Sequence, residues 1–318
     1  MNDIDLNKRA VVNSGLLSWF ATNNRPLPWR ETRDPYQILV SEVMLQQTQV
    51  DRVIPYYDRW LAQFPTIETL AIAPTREVIK AWAGLGYNRR AINLQRTAKA
   101  VIDNHGGVFP TSPAELQELP GIGPYTAGAI AAFAFEQDVA FIDTNMRRVI
   151  HRLFFGSDTP ARIASDREII TLAEELVPIG LGWLWNQALI EFGALQCTQR
   201  RPACVICPLQ SECAAYPAIQ THIADMPVGK RLKNEGTFEG SSRQFRGRIV
   251  DVLRTHNRLA LGDLGAAIKP DFTVEDADWL DTLVSGLVRD GLVAINEPTA
   301  SYDASGQDDQ EVFVSLPD

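Results

Sequence analysis

Apolar positions recur three and four residues apart through most of the first two thirds of the chain, the spacing of helices with one buried face. Asp34-Pro35 reads as a helix start, with Asp34 as N-cap and Pro35 in the first turn. The segment that follows keeps apolar residues at Tyr36, Leu39 and Val43 and at Ile38 and Leu45, which predicts a helix running to about Gln49. The same pattern predicts helices over 75–84, 89–104, 112–118, 126–135, 145–154, 165–176 and 183–193, separated by short loops containing Pro and Gly. Alternating strand patterning is nearly absent before residue 290, and no repeat of solenoid length is present. Residues 217–242 collect Pro, Gly and Ser and read as a linker. Beyond it, 245–255 and 274–290 read as helices, and 292–296 and 312–316 as two short strands flanking a polar, acidic loop. The expected fold is mainly α, with a small α+β, winged-helix-like domain over 243–318.

Composition changes little in this picture. At 318 residues the chain is long enough for two or three domains, and no apolar run reaches the length that spans a bilayer, so no membrane partner is expected. The first nine residues lack the apolar core of a signal peptide, which leads us to expect a reducing, cytoplasmic setting. The net charge of −9 argues at first against nucleic acid, but it is unevenly spread. Residues 1–229 carry −3 and residues 230–318 carry −6, so a nearly neutral front can still present a basic face.

All four cysteines of the chain fall within 17 residues, at Cys197, Cys204, Cys207 and Cys213, a C-x6-C-x2-C-x5-C spacing. In a reducing compartment such clustering points to metal rather than disulfides. Four thiolates suit a [4Fe–4S] cube or a single zinc ion, and spacing alone leaves both open. Arg200 and Arg201 lie inside this loop and could offer charge to a phosphate.

Three further features carry chemistry. The run 119–129 (LPGIGPYTAGA) sets two glycines in a turn immediately before a helix, a geometry in which backbone N–H groups can converge on one phosphate. Glu42 shares a helical face with Ile38, Leu39 and Leu45, where an apolar setting would hold it protonated, as a general acid needs. A glutamate at the rim of the stripe fits the same pattern equally well. Asp143 follows an apolar run and precedes a helical one, which marks an N-cap; a capping carboxylate is expected to stay ionised. One neutral and one ionised carboxyl is the pairing that glycosidic-bond cleavage uses.

Taken in order, 27–30 (LPWR), 41–50 (SEVMLQQTQV), 82–87 (WAGLGY), the hairpin 119–129, Asp143-Thr144-Asn145 and the cysteines resemble the helix-hairpin-helix DNA glycosylases, and within them the MutY-type adenine glycosylases. The resemblance spans residues 25–215 and implies two all-helical lobes, one from 1–28 with 134–216 and one from 29–133. It implies that Cys197, Cys204, Cys207 and Cys213 hold [4Fe–4S]. Glu42 then resembles the acid that protonates the leaving adenine, and Asp143 the carboxylate that stabilises the sugar cation. Tyr125 and Asn145 resemble their active-site partners, and Gln47 a wedge entering the duplex where the base leaves. Arg30, Thr48, Tyr87 and Asn88 become candidate DNA contacts, with Gly121, Gly123 and Thr126 as the phosphate grip. The implied partner is double-stranded DNA with a mismatch or lesion, bound by a monomer near the nucleoid.

Position 125 also separates branches of this superfamily. Relatives of the endonuclease III type place a Schiff-base lysine there, so tyrosine implies a glycosylase without strong strand-cleaving activity. Two departures stand out: Asn88 replaces an aromatic, and 243–318 does not resemble the Nudix-like domain that usually reads 8-oxoguanine. The competing readings are a glycosylase for thymine or uracil opposite G, whose members tend to lack a carboxylate at the Glu42 position, and a non-catalytic DNA sensor, which the Glu42 and Asp143 pair argues against.

Overall fold

The computed structural model describes residues 6–158, 162–224, 238–296 and 312–318. Its contacts group into two compact units, one of Met1–Glu42, Phe109–Glu118 and Ile122–Lys230, the other of Val43–Val108, Leu119–Gly121 and Arg231–Asp318.

The first unit is built on α1 (Leu6–Asn23), most of α2 (Pro35–Leu45), α7 (Pro113–Glu118), α8 (Pro124–Ala134), α9 (Thr144–Phe154), α10 (Asp166–Leu176), α11 (Gly182–Leu195) and α12 (Ala218–Ala224). Helix α11 (GWLWNQALIEFGAL) is apolar on nearly every side, so it is buried at the centre, with α1, α8 and α9 around it. Trp19 and Phe192 meet edge to face at 5.0 Å, and the Trp185 indole donates to Asn13 Oδ1 at 2.9 Å. Helix α10 starts on a capping box, Ser165 with Glu168.

The second unit holds α3 (Val50–Gln63), α4 (Ile67–Ile72), α5 (Thr75–Ala81) and α6 (Arg89–His105), with Trp60 and Trp82 packed edge to face at 5.4 Å. It also holds the C-terminal elements: α13 (Ser242–Thr255), β1 (Leu259–Ala260), α14 (Leu261–Ile268), α15 (Ala277–Asp290), β2 (Ala294–Asn296) and β3 (Phe313–Ser315). The three strands form an antiparallel sheet in the order β1-β3-β2, and this helix and strand order is that of a winged helix. Its core of Ile249, Leu253, Leu264, Leu283, Leu287 and Val314 also contains Ile79 of α5 and Ile92 of α6. The C-terminal module therefore shares one hydrophobic cluster with those helices and is not a separate body on a tether.

Several boundaries differ from the expected ones. Helix α2 stops at Leu45 instead of Gln49, because Gln47 adopts a left-handed backbone (φ 56°). Helix α5 stops at Ala81, ahead of Gly84 (φ 89°), where a Cβ would strike the Tyr56 side chain. Helices α1, α3, α4 and α14 were not anticipated. Within the expected linker, 218–224 is helical; its 225–237 portion and the acidic loop at 297–311 lie outside the described residues.

Candidate active site and cysteine loop

Helix α2 begins where the sequence places it: Asp34 Oδ1 accepts from the Tyr36 N–H at 2.9 Å. The helix carries Glu42 inward, into a turn whose Ile38, Leu39 and Val40 are all buried, and only 5% of Glu42 is exposed. Glu42 is thus a buried acid and not a rim residue. Burial pushes its carboxyl up to about 7, and the charge of Asp143 adds to the rise; the Tyr125 hydroxyl, which donates to it, and the Arg30 charge pull the other way. Burial and the two carboxylates hold the Tyr125 phenol well above its ordinary range, so it stays a donor. Tyr125 lies in the first turn of α8, edge-on to Phe141 at 5.3 Å. Gly128 makes room for this contact, since a Cβ there would come within 2.6 Å of Phe141 Cβ.

Asp143 caps α9 as expected, Oδ1 accepting from the Met146 N–H at 2.7 Å. Its Oδ2 accepts from Asn145 Nδ2 at 3.1 Å, and Asn145 Oδ1 accepts from Arg148 Nη2 at 2.9 Å. Arg148 also donates to Gly193 O at 2.6 Å and to Cys197 O at 2.8 Å, so one side chain ties the cap to the start of the cysteine loop. Burial raises the Asp143 carboxyl above its ordinary value and outweighs the opposing pull of the Met146 and Asn145 bonds and the Arg148 charge, which favour the ionised form as a cap should. Helix α9 begins in a half-buried place, where the helix dipole alone does not offset the loss of solvent.

Arg30, expected at DNA, is committed elsewhere. Its side chain, 8% exposed, donates to Gln187 Oε1 at 2.8 Å and to Glu191 Oε2 at 3.0 Å, while Arg25 Nη2 reaches the same Glu191 oxygen at 2.7 Å. Burial raises the Glu191 carboxyl, but these guanidinium bonds overcome it and hold it at about 2. A lone acid in the apolar helix α11 was the sequence signal for this pair. The signal for Arg148 was its i+3 spacing from Asn145.

All four cysteines line one cavity, together with Arg152, Leu153, Phe192, Gln196 and Tyr216. Arg152 is fully buried and organises the loop: it donates to Thr198 O at 2.8 Å and Gln199 O at 3.1 Å, pairs with Asp158 at 2.6 Å, and approaches Cys197 Sγ at 3.6 Å. Leu209 anchors the loop from the other side, packing where Gly15 of α1 leaves no side chain. Burial, then the neighbouring sulfurs, pushes the Cys207 thiol up to about 11. Cys197, Cys204 and Cys207 are held toward the neutral thiol, and with Cys213 they line a common space beside two guanidinium groups, a donor set suited to a metal group that would offset thiolate charge. Among the described residues, no three His, Cys, Asp or Glu side chains are gathered as a single-ion site.

In the second unit two turns have left-handed residues that are not glycine, Gln47 (φ 56°) and Tyr87 (φ 47°), and both side chains are exposed. Such backbone conformations persist only where the surroundings enforce them. Here Arg90 does so. Its buried guanidinium donates from Nη1 to Val43 O (2.8 Å), Met44 O (3.2 Å) and Gln46 O (2.7 Å), and from Nη2 to Leu85 O and Gly86 O (3.2 Å each). Sequence reasoning missed Arg90, because no local spacing links it to either turn. Thr48 closes the first turn through its N–H to Leu45 O at 3.2 Å. Asn88, half-buried, accepts from Arg254 Nη2 at 2.9 Å. In the hairpin, Gly121 (φ 80°) sits against Asn93, and Gly121 and Gly123 are exposed. Thr126 departs from expectation: its side chain is buried, so only its backbone remains suited to a phosphate.

Residues 40–178 match the family of HhH-GPD superfamily base excision DNA repair proteins. The adenine DNA glycosylase of Mycolicibacterium smegmatis is 42% identical over 86% of this chain and 91% of its own length. That of Mycobacterium tuberculosis is 38% identical over 77% and 79%. The chain belongs to the HhH-GPD superfamily, among its adenine DNA glycosylases. The mouse adenine DNA glycosylase is 44% identical over 66% of the chain, which spans only 42% of that longer protein. Among solved structures, a thermostable thymine-DNA glycosylase aligns with a TM-score of 0.62 and 36% identity over 66% of this chain and 97% of its own. A trapped endonuclease III–DNA covalent intermediate aligns with a TM-score of 0.57 and 25% identity over 66% and 96%. The fold is thus the mainly helical, two-lobed glycosylase fold with a winged-helix-like C-terminal module, and the activity is base excision. No helix among the described residues is long and apolar enough to cross a membrane.

Proposed function

We propose that this adenine glycosylase acts, as a monomer, on adenine mispaired with 8-oxoguanine or guanine in double-stranded DNA. The observation that carries the chemistry is the buried Glu42 carboxyl, raised to about 7 and held by Tyr125 beside Asp143. At neutral pH a large fraction of Glu42 carries a proton it can give away. With adenine flipped out of the stack, Glu42 protonates a ring nitrogen as the bond from the base to C1′ breaks, and the electron pair leaves with the base. The sugar then bears positive charge, which Asp143 faces, positioned by Asn145 and the Met146 N–H. Water attacks C1′ and its proton returns to the Glu42 carboxylate. Tyr125 offers no amine, so no Schiff base forms.

Gln47, Thr48, Tyr87 and Asn88, with the hairpin backbone at Gly121, Gly123 and Thr126, are the proposed DNA contacts. Cys197, Cys204, Cys207 and Cys213 would hold [4Fe–4S], whose charge compensates the thiolates and orders their loop. The purified protein should then be brown and contain about four irons per chain; one zinc and no iron would refute this.

The test of the reaction is a single-turnover panel with A, T, U or hypoxanthine opposite G, 8-oxoguanine, C and T. Wild type should excise adenine, and Glu42→Gln should be slower by at least ~10²-fold with DNA binding retained. Near-full activity in Glu42→Gln would defeat the assignment. The 36% identity to a thymine-DNA glycosylase makes thymine the substrate to watch; excision of thymine with adenine left intact would transfer the chemistry to that base.

A further inference from the structure

The turn that carries Tyr87 is gripped from two directions. Arg90 holds its carbonyls from within, as described. From the C-terminal module, Arg254 of α13 donates to Asn88 Oδ1 at 2.9 Å and to Ile79 O, at the end of α5, at 3.2 Å. The next residue, Arg89, pairs with Asp290 at the end of α15 at 3.4 Å, and Asp290 also holds Arg246. The residues directly after Tyr87 are therefore both bonded to the module. Asn88 occupies the N-cap of α6, where an Asn side chain ordinarily folds back onto its own helix, yet it makes no capping bond. Its oxygen is turned to Arg254 instead. Beneath these bonds the hydrophobic cluster containing Ile79 and Ile92 fixes the module against α5 and α6, so the Arg254 side chain approaches from a rigid base.

We propose that Arg254 is a positioning residue for DNA recognition: by joining Asn88 to Ile79 O it fixes the left-handed turn that presents Tyr87, so that the C-terminal module serves lesion binding without touching the lesion. This rests on the reading that Tyr87 contacts DNA. The acidic balance of residues 230–318 agrees with a module that acts through the protein and not on phosphates.

The test is a double-mutant cycle in the full chain, read as Kd by fluorescence anisotropy on a duplex with a non-cleavable adenine analogue opposite 8-oxoguanine. Arg254→Met keeps much of the stem's packing and should weaken binding about tenfold, the scale of one charge-assisted hydrogen bond. Asn88→Ala removes the same bond from the other side, without touching the shared core, and should weaken it similarly; because Asn88 is itself a proposed DNA contact, Arg254→Gln, too short to join Asn88 to Ile79 O, decides the matter if Arg254→Met does not fold. If Arg254 acts through the turn, adding Arg254→Met to Tyr87→Ala should cost less than about twofold more. Full multiplication of the two losses would overturn the proposal, as would wild-type affinity in both Arg254→Met and Asn88→Ala while Tyr87→Ala binds weakly. Wild-type affinity in Tyr87→Ala would instead defeat the reading of Tyr87 as a DNA contact, and the proposal with it.

Discussion

In the unit that carries α2, α8, α9 and α11, two buried acids, Glu42 and Glu191, stand alongside the buried Arg152; in the unit that carries α5 and α6, the decisive buried charge is Arg90. Glu191 and Arg90 have their charges answered, the first by two guanidinium groups and the second by five carbonyls. Both act as architecture. Glu42, the same residue type as Glu191 and in the same unit, is answered only by a neutral phenol and a distant charge, and its carboxyl rises to about 7 where that of Glu191 falls to about 2. The same burial thus stores a proton in one place and a geometry in the others. What decides is whether opposite charge, or enough carbonyl dipoles, lies within bonding distance.

The largest expected effect lies on the proton-storing side. Asp143→Asn keeps a capping side chain but removes the charge proposed to face the sugar cation. Its single-turnover excision should fall by an electrostatic loss on the order of 3 kcal/mol or more, with binding preserved; a loss confined to binding would place Asp143 among the structural groups instead. Arg90→Met tests the geometry-storing side. Stranding the carbonyls of both turns should lower stability to urea by roughly 2–3 kcal/mol and weaken DNA binding, with the saturated excision rate less affected. An equal loss in that rate would blur the contrast between the units.

The third prediction concerns the cost of the stored proton. The folded Glu42 carboxyl lies above its ordinary value of 4.5, near 7. Between these values the folded chain holds a proton that the unfolded chain has released, so this group's contribution to stability falls as pH rises through the window. Above it, Glu42 is a net burden on the order of 3 kcal/mol. Glu42→Gln should therefore melt higher than wild type at pH 8, and the difference should vanish near pH 4. An unchanged gap across that range would show that the carboxyl is not held near neutrality.

Much of this was legible in the chain. The stripes of α6, α9 and α10, the Asp34 and Asp143 caps and the clustered cysteines are local patterns, and each maps onto an observed feature. Helix α1 buries Val12, Leu16 and Phe20 at four-residue spacing, a signal that was present and overlooked. Helix α3 is strongly two-faced but contains Pro55, and proline reads locally as a breaker. The rise of the Asp143 carboxyl was beyond local reading, because it depends on how deeply the start of α9 is buried. The bond from Arg254 to Asn88 joins positions 166 apart, and Arg90 meets the Gln47 turn more than 40 residues away. Neither leaves a mark on its neighbours in sequence.

Gly193 shows how far the site extends beyond its chemistry. A Cβ there would stand 2.9 Å from that of Asn145 and 3.1 Å from its carbonyl, so any other residue must displace the side chain that steadies Asp143. A substitution as mild as glycine to alanine, on a central helix and away from the reacting bond, would disable repair while the acid and its partner carboxylate stayed intact. A lineage that acquired it would keep every recognisable motif of the family and still lose base excision. Its sequence would look sound, and only an excision assay would betray the defect.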